Sequence, residues 1–133
     1  AAGVGVKVIA GRLGQVEGPI RQPATDPLYL DIALDAGTPW ETALPDGHNA
    51  FAYVYEGQVR VGEGDDARVL ESREMGVLDG GARLRLHPGQ AAARLILVAG
   101  RPLREPVARY GPFVMNTRQE VMQAFVDFQE GRF

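Results

Sequence analysis

The sequence predicts an all-β domain, a sandwich or barrel, followed by one C-terminal helix. Seventeen glycines and nine prolines cut the chain into short pieces, and within those pieces apolar residues recur every second position, as strands with one buried face require. A helical period appears only near the end. The 133 residues suit one domain, and 45% hydrophobic content is enough to fill a core at that size. The division expected is a barrel over 1–115 and an amphipathic helix over 116–133.

Val4 to Ile9 reads as the first strand. Gly11 to Pro27 has turn-forming residues and little periodicity, which predicts a long surface loop. Leu28, Leu30, Ile32 and Leu34 then face one way, with Tyr29, Asp31, Ala33 and Asp35 facing the other. Phe51 to Tyr55 is a strand, Glu56-Gly57 a tight turn, and Gln58 to Gly62 its returning hairpin partner with Val59 and Val61 inward. Gly64-Asp65-Asp66 turns the chain again. Met75 to Leu78 forms a short strand closed by Asp79-Gly80-Gly81, and Leu84 and Leu86 alternate with Arg83 and Arg85 up to a turn at Pro88-Gly89. Arg94 to Val98 is almost continuously apolar, so burial on both faces is expected.

The helix begins at a capping box, Thr117 with Glu120, with Asn116 as an alternative cap, and Gly131 supplies its stop. Val121, Met122, Phe125 and Phe128 make an apolar stripe. A closed barrel has no need of that stripe, so it is expected to dock on the barrel's outer wall, on another domain or on a second copy.

Charge and composition narrow the function. Lys plus Arg is 14 and Asp plus Glu 17, net −3, with the signs interspersed; no basic stripe exists to neutralise phosphates, so direct nucleic-acid binding is not expected. The absence of cysteine removes disulfides, thiolate nucleophiles and thiolate metal sites. Ala1 to Ala10 is too short to span a bilayer and lacks a basic start, so the chain reads as cytoplasmic with no membrane partner. It opens without Met and runs straight into a strand, which suggests a processed or cut polypeptide.

A metal site in a β-barrel mouth can be built from two histidines one residue apart, which share a face, with a carboxylate a few residues on and a histidine from a later strand pair. In the stretch Leu44 to Gly57, His48 stands at the first position, Ala50 at the second, and no carboxylate follows before Glu56, which is expected to face solvent at a turn tip. The later position reads Gln90, Ala91, Ala92, Ala93, with His87 on the wrong side of the turn. His48 and His87 are thus the only candidate ligands, too few for a metal. The plainer expectations are a singly hydrogen-bonded histidine at a strand start for His48 and a loop histidine for His87. Phe51, Tyr53 and Tyr55 alternate along one strand; they line either a pocket for a planar ligand or the ordinary barrel interior. Asp65, Asp66, Glu71 and Glu74 read as a solvated edge that discourages strand pairing. No catalytic residue can be assigned.

The tail is distinctive: Ala99-Gly100-Arg101-Pro102-Leu103-Arg104-Glu105-Pro106, then Tyr110-Gly111-Pro112-Phe113-Val114-Met115-Asn116-Thr117, then a helix closing on Gly131-Arg132-Phe133. With Glu17-Gly18-Pro19-Ile20 and the stretch His48 to Gly57, it resembles the C-terminal cupin of pirin-family proteins over nearly the whole chain. The resemblance implies an all-β cupin fold, a double-stranded β-helix or jelly-roll barrel with one C-terminal α-helix, within a bicupin. It implies that the family's iron or other divalent metal sits in an N-terminal barrel and that this chain holds no cofactor. For a whole protein it implies a metal-dependent activity of the quercetin 2,3-dioxygenase type, or a transcription-cofactor role.

Three functional readings follow. In the first, the chain is a non-catalytic cupin half whose partner is the N-terminal half of its parent. In the second, it is a stand-alone module that self-associates as a homodimer through the helix and exposed strand edges. In the third, a small metal-free enzyme such as a sugar epimerase uses His48 with Tyr53 or Tyr55 in a barrel mouth.

Overall fold

A computed structural model describes residues 3–78 and 83–132, apart from the Asp66 side chain. The expected turn at Asp79-Gly80-Gly81 lies outside the described residues. The chain divides into two compact units, Ala1–Pro102 and Leu103–Phe133. The hairpin that precedes the helix belongs with it, so the division expected after residue 115 falls inside the second unit.

The first unit holds strands β1 (Val4–Ala10), β2 (Arg12–Leu13), β3 (Val16–Glu17), β4 (Leu28–Leu34), β5 (Trp40–Ala43), β6 (Asn49–Glu56), β7 (Val59–Val61), β8 (Arg68–Leu70), β9 (Met75–Leu78), β10 (Arg83–Pro88) and β11 (Ala93–Gly100). They form a five-stranded sheet, β1-β4-β11-β6-β9, a four-stranded sheet, β5-β10-β7-β8, and the small pair β2-β3. All the ladders of the two large sheets are antiparallel. From β4 onward the chain crosses between the large sheets at every step except β7 to β8. This weave is the jelly-roll barrel expected from the alternating sequence.

The core lies between the sheets. Leu30, Ile32, Val54, Val59, Leu86, Ala93, Leu95 and Leu97 are fully shielded from solvent, and together with Leu28, Leu34, Ala50, Ala52, Leu84 and Ala99 they form one cluster. Each comes from an alternate position of its strand, so the period-two pattern is a direct record of which face is inside.

Three local expectations need correction. Glu56-Gly57 is not a hairpin turn: β6 pairs with β11 and β9, whereas β7 pairs with β10 and β8. The chain leaves one sheet for the other there, and Gly57 makes the corner with φ +78°; a Cβ would lie 2.5 Å from the Ala92 carbonyl oxygen. Strand β11 buries only one face completely, since Arg94 is exposed and Ile96 and Val98 are half-buried. The segment between Gly11 and Pro27 is not wholly irregular, because Arg12–Leu13 and Val16–Glu17 pair and Ile20 bridges to Ala10.

The second unit contains β12 (Ala108–Tyr110), β13 (Phe113–Met115) and α1 (Arg118–Gln129). Thr117 caps the helix, its Oγ1 accepting from the Glu120 N–H at 3.2 Å and donating to the Glu120 carboxylate at 2.9 Å. Asn116 is not the cap; its side-chain amide donates to Glu105 and to the Pro106 carbonyl. At the other end Gly131 takes φ +75°, the Gly131 N–H reaches the Phe128 carbonyl and the Arg132 N–H that of Asp127. This is a Schellman closure.

Gly57→Ala should cost at least about 2 kcal/mol, from left-handed strain together with the contact to the Ala92 carbonyl. Gly37→Ala, at φ +71° but with open space around the added methyl, should cost only about 1 kcal/mol. Urea denaturation of the two variants measures the difference.

Candidate functional site

In a cupin, chemistry would come from side chains pointing into the barrel. Here the inward positions carry Leu44, Ala50, Ala52, Val54, Leu84 and Leu86, none of which donates to a metal. Among the described residues no group of three or more His, Cys, Asp or Glu side chains is placed to hold a metal ion. The two histidines, glutamate and further histidine of a cupin metal site are therefore not among these lining residues.

His48 is the one buried polar residue of the described core, 4% exposed. Its Nε2 lies 3.0 Å from the Asp26 carbonyl oxygen and its Nδ1 3.3 Å from that of Asp46. Both neighbours are acceptors, so a ring N–H donates to the Asp26 carbonyl and the ring is turned toward backbone. The Asp26 carboxylate stands 3.6 Å from Nε2 and 3.8 Å from Arg101. Arg101 N–H in turn donates to the Thr25 carbonyl at 2.7 Å. His48 thus pins the end of the long loop to the start of β6 and to the exit of β11, a firmer anchorage than the single hydrogen bond expected.

His87 sits in strand β10, not in a loop. It is exposed on the outer face opposite Arg60, and its Nδ1 contacts the Pro88 carbonyl at 2.6 Å. His48 and His87 belong to different settings, one buried beneath a loop and one on the outer face of the smaller sheet, and share no partner.

The aromatic row also lies elsewhere than expected. Ala50, Ala52 and Val54 take the inward positions of β6, so Phe51, Tyr53 and Tyr55 fall on the outer face of the large sheet, half-buried. They neither fill the barrel nor line its mouth. Phe51 is opposite Val98 and Val77, and Tyr53 opposite Ile96 and Met75. Tyr55 donates its hydroxyl to Asp31 Oδ1 at 2.7 Å while the Arg94 guanidinium lies over its ring at 5.6 Å. The bond to Asp31, aided by partial desolvation, pushes the phenol above its usual value.

The helical stripe faces its own hairpin. Val121 and Ala124 are buried with Phe113, and Ala108, Met115 and Phe125 pack on them. Phe125 meets Tyr110 edge-on at 5.7 Å, and Phe128 meets Phe113 at 6.0 Å. Met122 is 46% exposed and lies off this face; Ala124 takes its place. Asp26, Asp31 and Arg94 carry the polar contacts of these sites and were not singled out by pattern, since only strand register and loop path bring them to His48 and Tyr55.

This geometry matches known proteins closely. Residues 29–133 match the family described as the pirin C-terminal cupin domain. The chain belongs to that family. A pirin-like protein of Caulobacter vibrioides is 48% identical over 132 residues, which is 98% of this chain and 46% of that protein. Mouse pirin is 37% identical over 98% of this chain and 45% of its own length. Among solved structures, a quercetin 2,3-dioxygenase from Acinetobacter baumannii superposes with a TM-score of 0.83 at 32% identity, covering 99% of this chain and 44% of that one. This pirin-family chain therefore spans about half the length of the relatives it matches.

Two predictions follow from these contacts. His48→Ala should lose about 1–3 kcal/mol and open the Gly11 to Pro27 segment to proteolysis, since it strips the Asp26 carbonyl of its donor; denaturant titration and limited proteolysis read both effects. The Tyr55 phenol should ionise above a free tyrosine in an ultraviolet titration, and Asp31→Asn should lower its midpoint. The sign for stability follows: below pH ~10 both folded and unfolded chains keep the proton, and above it the unfolded chain loses it first. The contribution of Tyr55 is therefore lost as pH rises through its folded value.

Proposed function

We propose that this chain is the metal-free, non-catalytic half of a two-barrel pirin-like protein, in which it supports a companion cupin that carries the metal and any quercetin 2,3-dioxygenase-type chemistry. The observation that carries the reading is the aliphatic lining of the barrel: Ala50, Ala52, Leu84 and Leu86 stand at inward positions where a metal-bearing cupin needs donors. Relatives about twice as long, matched over nearly all of this chain, supply room for the companion, which would be the N-terminal half of the parent. The outer face of the large sheet suits such a neighbour, for Val77 is 80% and Met75 58% exposed beside the half-buried Phe51 and Tyr53.

No described helix is long and apolar enough to cross a membrane, and the reading places the protein in the cytoplasm without direct contact to nucleic acid. The second reading, a self-associating module without catalysis, draws on the exposed edge residues Val69, Met75 and Val77. It draws little on the helix, whose Val121 and Phe125 already pack on the hairpin.

Elemental analysis of the chain purified from iron-supplemented cells, without tag or chelator, should find far less than one metal per chain. Added iron should then produce no quercetin turnover. About one metal per chain, or measurable turnover, would overturn the proposal.

A further inference from the structure

The barrel has a second feature that its missing donors do not explain. Between the free edges of the two sheets lies an open cavity of about 490 Å³, within the span of small-molecule sites, roughly 300–1,000 Å³. Its apolar surface comes from Leu44, Val61, Leu70, Leu78 and Leu84, with the exposed Val69 and Val77 at its rim. Arg68 joins this lining from β8. It stands directly opposite Val61 in the ladder, while Leu70, two residues on, stands opposite the fully buried Val59. Cross-strand partners share a face, so Arg68 stands on the same face as Leu70 but at the open end of the strand, where it is exposed to solvent while Leu70 is half-buried.

The neighbouring arginines are already neutralised. Arg83 pairs with Glu41, and Arg85 with Glu63. Arg68 has no carboxylate partner among the described residues. A planar guanidinium on an apolar wall is suited to a carboxylate, which it can grip through two parallel hydrogen bonds. The gap between packed sheets, about 10 Å, favours a flat body.

We propose that this cavity is a binding site for a small amphiphilic monocarboxylate, its apolar body between the sheet edges and its carboxylate on Arg68. The site needs no metal and is built from this chain's own residues, although its rim residue Val77 also belongs to the face offered to a companion barrel.

The test is an amide-shift titration of the ¹⁵N-labelled chain with 2-naphthoate. The expected result is saturable binding that shifts Val61, Leu70, Leu78 and Leu84. Methyl 2-naphthoate, which lacks the charge, should bind at least roughly tenfold more weakly to the unaltered chain. Arg68→Gln should show the same loss with an unchanged melting curve, while Arg68→Lys keeps part of the affinity. No saturable shift at millimolar 2-naphthoate would overturn the proposal. Equal binding of acid and ester would overturn it too, leaving Arg68 as a guard against edge pairing. So would concentration-dependent sedimentation showing the cavity filled by a second copy.

Discussion

Strand β11 is the element on which the rest of the first unit depends. It hydrogen-bonds to β4 on one side and β6 on the other, and its alternate residues Ala93, Leu95, Leu97 and Ala99 are all shielded from water. Because a strand's side chains alternate, a slip of one residue would bring Arg94 into the core and expose Leu95 and Leu97. The register of β11 therefore fixes the registers of its neighbours, and through them which residues of β1 and β9 face inward. Alanines at positions 93 and 99 of β11 lie opposite Leu34 and Leu28 of β4, and larger residues meet smaller ones across the ladder with β6, where Leu97 faces Ala52.

The same register decides what lines the barrel. Inward positions on β6 and β10 are committed to Ala50, Ala52, Val54, Leu84 and Leu86, which exclude water and offer no lone pair. The polar residues that remain are used structurally. His48, at the start of β6, holds the end of the loop through the Asp26 carbonyl, and Tyr55 ties β6 to β4 through Asp31 on the outer face. A buried imidazole that donates its N–H to the Asp26 carbonyl is held toward the backbone by that bond. That arrangement stabilises the loop at the cost of a ligand position.

The second unit obeys a different rule. Its hairpin presents Phe113 to a helix whose small Ala124 allows close approach, and Phe125 and Phe128 close the sides as edge-on aromatic pairs. The helix stripe is therefore satisfied within some thirty residues, which is why no outside surface is needed to explain Val121 or Phe125. A stripe in sequence says that a face must be covered. It does not say by what.

Local rules suffice for much of this chain. Period-two alternation identified the inward residues of β4, β7 and β10, and the Thr117–Glu120 box with Gly131 located both helix ends, because caps and pleats act within a few residues. The chain's membership in the pirin C-terminal cupin family was legible too, in short motifs whose order survives divergence. What distant segments do to each other was not. Gly57 reads as a hairpin turn until the partners of β6 and β7 are known, and Phe51, Tyr53 and Tyr55 read as a lining until Ala50, Ala52 and Val54 are seen to take the inward face. Likewise His48 could be placed near a strand start, yet its partner Asp26 is 22 residues away. Sequence by itself determined periodicity, caps, family and the inward face of most strands; only the tertiary structure decided which face of β6 is inside and who meets whom, because pairing across a barrel is set by the packing of the whole and leaves no fixed spacing along the chain.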